Sequence, residues 1–194
     1  MSPRPAASGR GLTTADDSAL LEAVAHGDLG GLGALYDRYH RDVHRAVQRS
    51  MGGSAEVDDV VHAVFLALPK LAARFEGSSC RAWLCGIAVR MALRHQRGVG
   101  RWLRTLSSFG TAQQHVSRVD PESSAIGSQE MALFTRALER LSPKKLAAFV
   151  LVEVEGLSTE EAAAALEIPP ATLRTRLFHA KSEMRAALKR GGVW

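Results

Sequence analysis

Apolar side chains recur every three or four positions through most of this chain, the period of a helix that buries one face. Four such stretches fall between residues 17 and 104: ALLEAVAHGD, GALYDRYHRDVHRAVQRSM, EVDDVVHAVFLALPKLAARF and CRAWLCGIAVRMALRHQR, parted by glycine or polar breaks. No stretch alternates apolar and polar positions as a half-buried strand does. The period lapses over residues 107–129, SSFGTAQQHVSRVDPESSAIGSQ, which are poor in apolar residues and rich in Ser, Gly and Gln. It resumes with MALFTRALERL and PKKLAAFVLVEVEG, and runs on to residue 190. The pattern predicts an all-α protein of two small helical domains, residues 15–105 and 130–194, joined by a flexible linker over 106–129. Residues 1–14, rich in Pro, Gly and Ser, are expected to form a disordered arm. No internal repeat is present.

The end of the chain carries the most detailed pattern. Ser158 stands three residues before Glu161, the spacing of a capping box, so a helix starts there. Its apolar face, Ala162, Ala163 and Leu166, has little bulk and lets another helix approach closely. Glu167-Ile168-Pro169-Pro170 ends it, because proline has no N–H to donate. From Ala171 a second helix buries Leu173, Leu177, Ala180, Met184 and Leu188, at spacings of four, three, four and four. Arg174, Thr175, Phe178, His179 and Ser182 fall on the opposite side, at the end that a helix lying in a major groove presents to base edges. Helix, tight turn and basic helix form a helix-turn-helix. Taken alone, the pattern also suits an ordinary helical hairpin with a solvated charged face.

Charge favours the first reading. The net charge of +5 and a pI near 9.7 suit an anionic partner. Between Arg90 and Arg104 lie five arginines and no acid, whereas Asp16, Asp17, Glu22, Asp28 and Asp37 make the first helices acidic. One face is therefore expected to be strongly positive. With 46% hydrophobic residues the chain can fill one or two small cores, and no apolar run approaches the roughly 18 residues of a membrane helix. The opening MSPRPAASGRGL lacks the apolar stretch of a secretory signal, so a cytoplasmic location is expected. Cys80 and Cys85, five residues apart on one helix, point about 140° apart and do not readily share a metal. Reduced thiols, no metal site and no cofactor are the expectation.

The centre of the first block is the most specific part. DDVVHAVFLALPKLAARFEGSSCRAWLCGIAVRMALRHQR sets an acid-led helix, a Phe-Glu-Gly turn and a helix starting near Trp83 in order. This resembles the core of the sigma factors of bacterial RNA polymerase, in particular the extracytoplasmic-function (ECF) group. That group consists of a sigma-two domain, a linker and a sigma-four domain. EGLSTEEAAAALEIPPATLRTRLFHAKSEMR is similar to the helix-turn-helix of the sigma-four domain, and the layout matches nearly the whole chain after the arm.

The resemblance implies roles. The acid-led helix would dock on the clamp coiled coil of the polymerase largest subunit, through Asp58, Asp59, Val61, His62 and Phe65, and the second domain on the flap. Val60, Val64, Phe65 and Leu68 suit core as well as contact, so the carboxylates are the better candidates. Ser78, Ser79 and Arg81 would capture an unstacked base of the minus-ten element, with Arg90, Arg94 and Arg97 as a phosphate-facing stripe. Trp83 is read as packing, with Ile87. Thr172, Arg174, Thr175, Arg176, Phe178, His179 and Lys181 would serve the minus-thirty-five element, with Arg176 and Lys181 on phosphate and Phe178 on a thymine methyl. The chain departs from the family pattern at His62 and Ala63 (commonly Gln and Glu), Pro69 (an aromatic), Arg90 (Asn), Glu167 (the turn glycine) and His179 (Arg). The resemblance also implies a cognate anti-sigma factor, possibly membrane-anchored.

Two other classes compete. A stand-alone helix-turn-helix regulator with a helical sensory domain needs a ligand pocket or dimerisation element in residues 17–104, where the docking and loop patterns stand instead. A helical enzyme needs a nucleophile with its base, a phosphate-binding glycine loop or metal-ligand spacing, and the sequence offers none. The expected protein is a non-enzymatic alternative sigma factor that binds core polymerase, recognises two promoter elements and helps melt the DNA.

Overall fold

The computed structural model describes residues 16–52, 54–76, 79–107 and 125–190, without the side chains of 98–107 and 125–131. The expected arm over 1–14, Ser78 and the linker positions 108–124 lie outside the described residues. Among the described residues eight α-helices follow in order: α1 (Asp17–Ala25), α2 (Leu29–Met51), α3 (Val57–Leu71), α4 (Cys80–Ser107), α5 (Ala125–Glu139), α6 (Pro143–Phe149), α7 (Thr159–Ala165) and α8 (Pro170–Arg190). Both ends of the expected linker are helical, because α4 runs on to Ser107 and α5 starts at Ala125. Among the described residues there is no strand.

Local chemistry sets the helix ends. The Asp28 carboxylate accepts from the Gly30 N–H at 2.8 Å and caps α2. Gly52, at φ 66°, ends that helix in the left-handed conformation that suits glycine. Pro143 opens α6, where its missing N–H costs nothing. At the predicted capping box the Glu161 N–H donates to Ser158 Oγ at 3.1 Å, and the Ser158 N–H donates back to the Glu161 carboxylate at 2.9 Å. That pairing holds the Glu161 carboxyl below the usual carboxylate range. The double proline also acts as predicted: α7 stops at Ala165 and α8 begins at Pro170.

Helices α1 to α4 close around Leu20, Leu35, Val43, Val47, Val64, Leu68, Leu84 and Val89. The Asp17 carboxylate accepts from both Arg38 and Tyr39, which pins α1 to α2. Helices α5 to α8 gather Leu146, Ala148, Leu151, Leu173, Ala180 and Met184. Leu177 and Leu188, predicted to share that buried face of α8, are only half-buried. Between α6 and α7 the chain widens into a π turn, Val150–Val154, which brings Glu155 inward.

The two helical units meet along α4 and α7. A Cβ placed on Gly86 of α4 would lie 2.6 Å from both the Cβ and the carbonyl oxygen of Ala165, so only glycine fits there. Ala162, Ala163 and Ala165 are all buried; the small face read from the sequence held the first two with the half-buried Leu166, and Ala165, which meets Gly86, lies outside that reading. Beside it Glu155, its side chain 0% exposed, accepts from Arg45 Nη2 at 2.8 Å and from Arg81 Nη2 at 3.3 Å. Asp42 accepts from the same two guanidiniums at 2.6 and 3.0 Å. A buried carboxylate of this kind is tolerated only when its charge is paired and its lone pairs are used.

Candidate nucleic-acid and partner interfaces

Helix α8 rests on α6 and α7 through Leu173, Ala180 and Met184, which leaves the opposite face outward. Phe178 is 70% exposed, with the His179 ring edge-on at 5.6 Å. A phenyl ring so exposed is not held by the core, and its place between basic residues suits a groove that offers both methyl groups and anions. Arg174, Thr175, Phe178 and His179 are all exposed, as the sequence pattern predicts. The Arg174 guanidinium rests on Glu160 at 3.2 Å, an exposed pair that is easily exchanged for another anion. Lys181 is held by Glu153 at 2.9 Å. Thr175 Oγ1 donates to the Ala171 carbonyl at 3.1 Å, and Thr172 is half-buried. Arg176 turns away from this group, since two residues along a helix rotate it by about 200° from Arg174. It lines the space between the two helical units instead.

The α4 stripe behaves less uniformly. Arg94 and Arg97 are exposed. The Arg90 guanidinium donates to the carboxylate of Glu167, so two positions that depart from the family pattern are partners across the seam. Glu167 takes φ 56°, the left-handed turn conformation expected of the glycine it replaces. Arg81 is engaged by Asp42 and Glu155 and is not presented to solvent as a free donor. Ser79 Oγ accepts from the Ala82 N–H at 3.2 Å at the start of α4. Trp83 packs against the core, as the packing role read from the sequence expects, and meets the Phe75 ring edge to face with ring centres 5.3 Å apart. Cys80 and Cys85 are free and buried, and burial pushes each thiol up to about 12.

Helix α3 sorts its candidates sharply. Asp58 and Asp59 are exposed in the first turn, with His44 Nε2 3.5 Å from Asp58, and His62 is exposed one turn on. Val61, 1% exposed, and Phe65, 4% exposed, are core, so the direct-contact role expected of Val61 does not fit its position. The ring of Phe65 packs on Tyr36 at 4.8 Å and floors a shallow groove of about 360 Å³ that Leu29, Leu32, His62 and Leu66 also line. Leu66 is 74% exposed and Leu29 77%. The sequence reading missed both. Leu66 breaks the inward period of α3, a signal that was available, whereas Leu29 sits at a helix start where periodicity says nothing.

Two all-helical units, one ending in a helix-turn-helix with an outward basic and aromatic face, the other carrying an arginine stripe and a shallow apolar groove, define a DNA-binding protein. Comparison with known proteins narrows that class. Residues 35–102 match the family model described as Sigma-70 region 2, and residues 131–184 that described as Sigma-70, region 4. The chain is 32% identical over 177 residues to the ECF RNA polymerase sigma-E factor of Escherichia coli, which spans 85% of this chain and 90% of that protein. It is 28% identical over 188 residues to the RNA polymerase sigma-H factor of Pseudomonas aeruginosa, spanning 92% and 96%. In fold it resembles CnrH, solved in complex with the cytosolic domain of CnrY, at TM-score 0.62 and 24% identity, over 90% of this chain and 97% of that one. It also resembles the sigma factor RpoE of Bartonella quintana, solved with the anti-sigma factor NepR, at TM-score 0.60 and 23% identity over 80% and 96%. The chain belongs to the ECF group of the sigma-70 family: it is an alternative sigma factor, which directs promoter-specific transcription.

Proposed function

We infer that the two units divide the work between polymerase docking with minus-ten recognition, over residues 15–105, and minus-thirty-five recognition, over 130–194. The α3 face of Asp58, Asp59 and His62, continued by the Leu29–Leu66 groove, docks on the clamp coiled coil of the polymerase largest subunit. An apolar groove along a helix whose first turn exposes two carboxylates suits a helical partner with an apolar ridge and basic flanks. Arg94 and Arg97 hold phosphates beside the minus-ten element, with Ser78 and Ser79 at the base that leaves the stack. Arg81 and Arg90 join them only after giving up Glu155 and Glu167. Helix α8 reads the minus-thirty-five element with Arg174, Thr175, Phe178 and His179, and Lys181 neutralises phosphate. The protein acts in the cytoplasm, where polymerase is, and an anti-sigma factor restrains it; the structurally similar RpoE of Bartonella quintana is solved in complex with the anti-sigma factor NepR.

The outward face of α8 carries this reading, above all Phe178 exposed beside Arg174 in a capped helix-turn-helix. The test is multi-round transcription with purified core polymerase on a promoter and its single-base minus-thirty-five variants. Arg174→Ala is expected to lower transcription from the intact promoter and to erase the penalty for one base change, a loss of about 1–3 kcal/mol in discrimination. Retained discrimination at every position of the element refutes the assignment.

A further inference from the structure

Where α4 meets α6 and α8, cations from both units surround one cavity of about 210 Å³: Arg90, Arg94 and Arg97 on one side, Lys144 and Arg176 on the other. Leu93, Ala147 and Leu166 supply its apolar wall. Among the described residues only Arg90 has an acceptor, Glu167, and Arg94, Arg97, Lys144 and Arg176 have none. Four uncompensated cations facing one small space repel each other, and the Gly86–Ala165 contact fixes how far apart the two sides stand. A bound anion removes that opposition. A space of about 210 Å³ admits a compact anion and is far too small for a DNA duplex.

We propose that the seam between the two helical units is a binding site for a compact polyphosphate anion, which holds the chain in a form whose α4 stripe is withheld from duplex DNA. The site exists only when the units are together, because neither supplies all five cations. Several phosphate groups in a row match several guanidinium forks, each able to hold two oxygens. Anion binding and closure are then one equilibrium, and the ligand favours the closed form by its differential affinity. The regulatory half of the proposal rests on Arg94 and Arg97 being DNA-facing, and the binding half does not.

The full chain is titrated calorimetrically with inorganic tripolyphosphate, against sulfate at matched ionic strength. One molecule is expected per chain, at an affinity sulfate does not reach. Arg97→Ala and Arg176→Ala, one from each unit, are each expected to weaken it about tenfold or more. Gly86→Leu, which the seam cannot accommodate, is expected to weaken it as much while touching no charge, with helicity checked by circular dichroism. Several weak sites, an equal response to sulfate, or unchanged affinity in both arginine variants overturns the site. Full affinity in Gly86→Leu overturns its dependence on closure. A nucleoside triphosphate titrated the same way separates the sources: equal affinity makes the phosphate chain the ligand, higher affinity adds the nucleoside, and no binding by either compound overturns the proposal. Loss of promoter contact in Arg97→Ala, with tripolyphosphate binding intact in both arginine variants, would leave the DNA role standing and remove only the site.

Discussion

Leu66 and Leu68 stand two residues apart on α3, yet the structure assigns them opposite fates, which makes the pair a direct test of the docking face. Leu68 is 0% exposed in the core, and Leu66 is 74% exposed at the groove. Leu68→Ala removes a fully packed side chain and leaves a cavity, which costs about 2–5 kcal/mol of stability. Leu66→Ala removes little that the free chain buries, so its effect on stability is expected within about 0.5 kcal/mol. On docking, however, the exposed three quarters of that side chain would leave water. Full burial of a leucine is worth about 1.5–3 kcal/mol, so the variant is expected to lose about 1–2 kcal/mol of binding, or roughly 5- to 30-fold in affinity for core polymerase. Urea denaturation measures the first quantity, and competition against a labelled wild-type chain for purified core enzyme measures the second. Wild-type affinity in Leu66→Ala refutes the groove as a docking surface. A multi-kcal/mol loss of stability in the same variant refutes its placement outside the core.

Three further outcomes are expected. Replacing Asp58 and Asp59 together with Lys weakens core binding without changing helicity, because exposed charges set interface complementarity more than stability; a pull-down with purified core reads it. Arg94→Ala with Arg97→Ala lowers open-complex formation on all promoters and flattens its salt dependence, as loss of phosphate contacts does, and a loss confined to one promoter would contradict that role. Ser158→Ala costs about 1 kcal/mol near neutral pH through the lost cap, measured by denaturation. The Ser158 backbone N–H and then its hydroxyl lower the Glu161 pKa from its ordinary 4.5, so the hydroxyl's share, the part Ser158→Ala removes, is fully present above that value and is lost as pH falls through the lowered one. The difference between Ser158→Ala and wild type should therefore shrink on acidification.

Sequence alone determined the features that are decided within a few residues. The helical period, the Ser158–Glu161 box, the proline stop and the outward face of α8 depend on neighbours three or four positions away. Such signals survive without knowledge of the fold. The division into two helical blocks and the family resemblance followed from the same local order. Tertiary structure decided what depends on distant partners. Val61 and Phe65 lie on the inward period of α3 and Leu66 off it, but only the packing of α3 against α2 and α4 decides that Val61 and Phe65 are core rather than contact. Arg81 looked like a free donor until Glu155, 74 residues away, folded against it. Arg90 and Glu167 looked like two unrelated departures from a family pattern, yet 77 residues apart in sequence they form one ion pair. Charge pairing across a seam leaves no periodic trace in a chain, because nothing in the spacing of either residue records the position of the other.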